Sequence, residues 1–83
     1  MTKIVRFGDG RDFRNRLRGM AVNMITRASP IREEDIRWLS GPVYAGGTRA
    51  RYTGTFEDRS TGEVWRFTYF YRSEGKYTVK KEG

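Results

Sequence analysis

Apolar positions along the chain change their period near residue 42, and that change organises everything else. From Arg11 to about Ala28 they fall at Phe13, Leu17, Met20, Ala21, Met24, Ile25 and Ala28. Steps of three and four are one face of an amphipathic helix. Arg11, Arg14, Asn15, Arg18, Asn23, Thr26 and Arg27 occupy its other side. Ahead of it, Lys3 to Phe7 is short and apolar and predicts a strand, closed by Gly8-Asp9-Gly10, with Asp9 as a helix cap. Ser29-Pro30 predicts the start of a second helix of about ten residues, Ser29 capping and Pro30 in the first turn. Glu33, Glu34 and Asp35 near that start complement the helix dipole. Ile36, Trp38 and Leu39 supply its apolar contacts, and Ser40-Gly41-Pro42 stops it.

Beyond Pro42 the pattern alternates. Val43-Tyr44-Ala45 predicts a short strand, with Gly46-Gly47 as a tight turn. In Thr48 to Phe56, Ala50, Tyr52, Gly54 and Phe56 share one face, while Arg49, Arg51, Thr53 and Thr55 share the other. Glu57 to Gly62 is turn-forming. From Glu63 to Arg72, Trp65, Phe67, Tyr69 and Tyr71 alternate with Val64, Arg66, Thr68, Phe70 and Arg72. Ser73-Glu74-Gly75 turns the chain again, and Lys76 to Lys81 turns Tyr77 and Val79 inward. The expected fold is a single α+β domain over 1–83, in the order β-α-α-β-β-β. Its long and short helices form one layer on the aromatic face of an antiparallel sheet of three to five strands.

Composition narrows the chemistry. The 83 residues contain no Cys and no His, which removes disulfides, thiol catalysis, the commonest general base and the commonest metal ligand. No cofactor or metal site is expected. Seventeen basic residues against ten acidic ones leave a net charge of +7, and 13 of the 17 are Arg. Arg pairs bidentately with phosphate and carboxylate, though a GC-rich genome produces the same bias. No apolar run suggests a signal peptide or a membrane span, so a soluble, cytoplasmic protein is expected.

Alternation gathers Arg49, Arg51, Arg66, Arg72, Lys76 and Lys80 on the open sheet face, with Phe70 among them and Thr53, Thr55, Thr68 and Thr78 between. Arginines pair with phosphates, hydroxyls contact them, and an exposed ring stacks on an unpaired base. The expectation is a non-catalytic module binding RNA or single-stranded DNA through Arg49, Arg51, Arg66, Phe70, Arg72 and Lys80. A solvated face of strand-favouring residues has the same pattern. Arg11, Arg14 and Arg18 form a second basic surface on the helix, whose simpler role is a soluble face. Gly8-Asp9-Gly10 lacks the spacing of a phosphate loop. Glu33-Glu34-Asp35 point about 100° apart and do not converge on a metal.

Two further classes stay open. One is a protein-binding inhibitor or accessory factor of phage or mobile-element type, acting on an acidic or nucleic-acid-binding surface of its partner. Homodimerisation through an exposed edge strand belongs with it. The other follows from Trp65-Arg66-Phe67-Thr68-Tyr69, which is similar to the aromatic-Arg strand of some RelE/ParE toxins, a family the element order also resembles. That resemblance implies a ribonuclease working through Arg51, Arg66, Arg72, Lys80 and a Tyr without imidazole.

Overall fold

The computed structural model describes residues 11–82, with side chains from Asn15 onward. The expected strand Lys3 to Phe7, the Gly8-Asp9-Gly10 turn with its Asp9 cap, and the side chains of Arg11, Phe13 and Arg14 lie outside the described residues. Helix α1 spans Arg11–Ala28, a 3-10 turn covers Glu33–Asp35, and four strands follow: β1 Ile36–Gly46, β2 Arg51–Asp58, β3 Glu63–Phe70 and β4 Lys76–Lys81. All are antiparallel, in the order β1-β2-β3-β4. The described part is therefore a small α+β domain with a helix on one face of a meander.

The long helix forms over the expected range. Leu17, Ala21 and Ile25, one i, i+4 row, are buried with Ile31, Phe56 and Phe67 in a core flanked by Met24, Trp38, Trp65, Tyr69, Tyr77 and Val79. The aromatic alternation of β3 places Trp65, Phe67 and Tyr69 on this inner face as expected. Among the described residues, the Trp65 indole N–H meets no acceptor.

The second helix does not form. Ser29 ends α1 instead of opening another helix. Its hydroxyl donates to Ile25 O at 2.7 Å and accepts from Ile31 N at 3.3 Å, turning the chain back onto the core. Only the 3-10 turn remains, closed by Asp35 N to Arg32 O at 3.0 Å. Ile36 then enters β1, so Ser40-Gly41-Pro42 lies inside a strand of 11 residues rather than ending a helix. An isolated helix of ten residues is marginal, whereas a strand here completes the β2 ladder. It sets Trp38 edge-on to Phe56 and Phe67, with ring centroids 5.6 and 6.4 Å apart, while Arg37 points out to Glu57 at 3.1 Å. With one described helix in place of two, the element order no longer supports the toxin resemblance.

Strand β1 is irregular. Its register shifts between Trp38 and Ser40, between Ser40 and Val43, and between Tyr44 and Gly46. Two glycines make this crossing fit. A Cβ on Gly54 would lie 2.8 Å from Ser40 O and 2.9 Å from Pro42 Cα, so buried Pro42 covers the site where Gly54 carries no side chain. Gly41 sits at φ +69°, in the left-handed region, and a Cβ there would meet Thr53 O at 2.7 Å.

Three boundaries also move. Strand β2 runs on through Glu57 and Asp58, paired with Val64 and Glu63, so the turn expected from Glu57 starts only after Asp58. Gly47 begins a turn closed by Ala50 N to Gly47 O at 3.1 Å, so Thr48 to Ala50 belong to it and not to β2. Strand β3 ends at Phe70, which leaves Tyr71, expected in the core, 61% exposed. The register sets Tyr44, Tyr52, Tyr69 and Tyr77 in one row across all four strands, with Tyr44 and Tyr52 rings 5.3 Å apart.

Candidate functional site

On the sheet face away from α1, register assembles three parallel rows. Thr55, Arg66 and Lys80 pair across β2, β3 and β4; Thr53, Thr68 and Thr78 form the next row; Arg51, Phe70 and Lys76 form the third. Paired positions bring Cβ atoms to about 4.5–5.5 Å. The short threonines therefore make a floor between two rows of long side chains. Arg66 and Phe70 lie four residues apart, so the walls rise about 13 Å from each other at the backbone. The result is a cleft of about 420 Å³ lined by Arg51, Thr53, Arg66, Thr68, Phe70, Thr78 and Lys80. Thr68, 9% exposed, is its base.

Hydrogen bonds fix the floor. Thr53 Oγ1 donates to Phe67 O at 3.2 Å and lies 3.3 Å from Thr68 Oγ1. Arg66 Nη1 donates to Thr53 Oγ1 at 3.3 Å, tying one wall to the floor. The same guanidinium forms a two-pronged pair with Glu82: Nε to Oε2 and Nη2 to Oε1, both 3.2 Å. Among the described residues, Arg51 hydrogen-bonds only through a long 3.5 Å contact with Ala45 O. Lys80 has no ion pair among the described residues.

A second cleft, of about 460 Å³, adjoins the first across Phe70 and Thr78 and takes in Arg49, Glu74, Lys76 and Tyr77. Although Arg49 lies in the turn before β2, its guanidinium carbon stands 5.4 Å above the Phe70 ring centroid. The two clefts together hold Arg49, Arg51, Arg66, Lys76 and Lys80 against one lining carboxylate, Glu74, while Glu82 pairs with Arg66 without lining either cleft.

Of the expected site residues, Arg51, Arg66, Phe70 and Lys80 line the first cleft and Arg49 the second. Arg72 lines neither. It lies in the turn after β3, its backbone N–H donating to Arg49 O at 3.0 Å, because the strand ends two residues before it. Arg18, expected on a solvated helix face, is half-buried. Its Nε donates to Gly41 O at 2.9 Å and its guanidinium lies 5.7 Å from the Trp38 ring centroid, so it anchors α1 to the β1 crossing. Glu82 and Glu74 are the residues that sequence reasoning missed. Glu82 reaches Arg66 only through the β3–β4 register, and Glu74 read simply as a turn residue.

Two titratable groups outside the clefts are shifted. Hydrogen bonding from the Ser60 hydroxyl holds the Asp58 carboxyl below its ordinary value, against the opposing effect of burial. Burial, followed by the neighbouring Tyr44, pushes the Tyr52 phenol up. Among the described residues no group of three or more Asp and Glu side chains is placed to hold a metal, and no helix is long and apolar enough to cross a membrane. No protein family, curated protein or solved structure matches this chain.

Proposed function

We propose that the chain is a non-catalytic module that binds single-stranded nucleic acid, RNA or DNA, across the open sheet face. The observation that carries this is the threonine-floored cleft, which joins Arg51, Arg66 and Lys80 to the Phe70 ring. Hydroxyls and guanidinium forks are the donors that phosphate oxygens accept from. An aromatic ring within the same cleft suits an unpaired base, whereas the stacked bases of a duplex are closed to it. A net charge of +7 adds the long-range attraction.

The test is fluorescence anisotropy with labelled uridine and thymidine oligonucleotides and a duplex of equal charge. The single strands should bind more tightly than the duplex. Arg51→Glu and Lys80→Glu should each weaken them strongly, Phe70→Ala should cost about 1–3 kcal/mol, and Arg16→Glu, on the exposed part of α1, should change little. Equal losses from all the charge reversals would make general charge the carrier of affinity and overturn the site. RNA integrity followed in the same tubes tests the ribonuclease alternative. A protein partner is the competing reading, favoured by Leu39, Val43 and Tyr44, which lie 47–60% exposed along β1, at the edge of the sheet formed by the described residues. No binding of any oligonucleotide at low salt would move it to first place.

A further inference from the structure

The two clefts differ in chemistry in a way that divides a nucleotide between them. The first offers cations, hydroxyls and one ring, a donor set fitted to phosphate. The second contains a carboxylate, Glu74, that makes no ion pair among the described residues, although Arg49 and Lys76 line the same cleft. Glu74 is held at φ +57°, a backbone conformation uncommon for a side-chain-bearing residue. Two backbone bonds close the turn around it: Ser73 N to Phe70 O and Lys76 N to Ser73 O, both 3.1 Å. An exposed carboxylate on a backbone-held turn, with no ion pair among the described residues and in the same cleft as an aromatic ring, is an acceptor for paired donors.

Resting on the single-strand reading above, the geometry points to a guanine-reading subsite in the second cleft. Guanine presents N1–H and N2–H side by side on its Watson–Crick edge, matching the two oxygens of a carboxylate. Its O6 and N7 are acceptors suited to Arg49 or Lys76. The base takes the place of the Arg49 guanidinium over Phe70, while the flanking phosphate lies over the threonine floor next door. Uracil has no amino group. Adenine and cytosine set a ring acceptor next to their single amino group, and that acceptor would face the carboxylate. Guanine is therefore selected by attraction and the other bases are rejected by repulsion.

The deciding experiment is anisotropy with three labelled uridine pentanucleotides of identical phosphate number, carrying guanosine, inosine or uridine at the centre. Guanosine should bind roughly tenfold tighter than uridine, with inosine, which lacks the N2 amino group, between them. Glu74→Gly is the matched variant, because glycine is at ease at this φ. It should abolish the guanosine-to-uridine ratio while leaving uridine binding equal or tighter. A purely electrostatic role for Glu74 would shift all three probes together and keep the ratio, which would overturn the subsite. Equal binding of guanosine and uridine by the unmodified protein would also overturn it, yet leave the single-strand reading standing. Failure of all three probes to bind would remove both.

Discussion

Glu82 is the most informative residue to change, because its carboxylate already occupies the fork that a phosphate would need. Both Arg66 contacts to Glu82 are 3.2 Å, and the two side chains are 44% and 40% exposed. A pair this wet contributes about 0.2–1 kcal/mol to the fold at most, so Glu82→Gln should remain folded. Binding should change by at least as much. A phosphate on Arg66 lies about 4 Å from the Glu82 oxygens, where like charges repel by about 1 kcal/mol even at the dielectric of water. Removing that repulsion tightens binding by about fivefold. If Arg66 then takes a full phosphate contact, the logarithmic salt slope for a single strand should steepen by up to about 0.7. Anisotropy with a short uridine oligonucleotide between about 50 and about 200 mM salt measures both quantities. Glu34→Gln is the control, since it raises the net charge equally from an exposed pair outside both clefts. Equal gains from the two variants, or none from Glu82→Gln, would refute the reasoning and leave Arg66 as a surface charge.

The fold makes its own predictions. Gly54→Ala places a methyl 2.8–2.9 Å from β1 backbone atoms, so the strand must move or lose its crossing. An overpacking cost of about 1–3 kcal/mol is expected, readable as a lower midpoint in urea. Asp58, with its folded-state carboxyl held low by Ser60, contributes stability that is present above the unfolded value of about 3.9 and is lost as pH falls through the lower folded one. Asp58→Asn, which keeps an oxygen acceptor for Ser60, should flatten stability against pH on the acid side. An unchanged acid slope would assign that dependence to other carboxylates.

Both the sequence and the structure place Arg51, Arg66, Phe70 and Lys80 on one open face, and the reason is local. A strand turns alternate side chains to opposite faces whatever surrounds it, and β2, β3 and β4 are regular through these positions. Helix α1 was legible on the same ground, because seven apolar residues at steps of three and four exclude a period of two. Where the pattern was short, it failed. Ile36, Trp38 and Leu39 fit a helical turn as well as a strand, and the contest was settled by the open edge of β2 and by Phe56 and Phe67 waiting for Trp38. Phase was lost again at the strand ends. The turn beginning at Gly47 and the stop at Phe70 moved Arg49, Tyr71 and Arg72 off the alternation, although Arg49 still reaches Phe70.

Local periodicity thus determined which residues face together, and with it most of the cationic cleft. Tertiary structure alone decided the partners, because they are distant in the chain. Arg18 meets Gly41 across 23 residues and Arg66 meets Glu82 across 16, the second set by strand register and the first by how the helix seats on β1. No period in a sequence specifies a register. It follows from closing every backbone hydrogen bond and every apolar face at once, and that condition belongs to the whole chain.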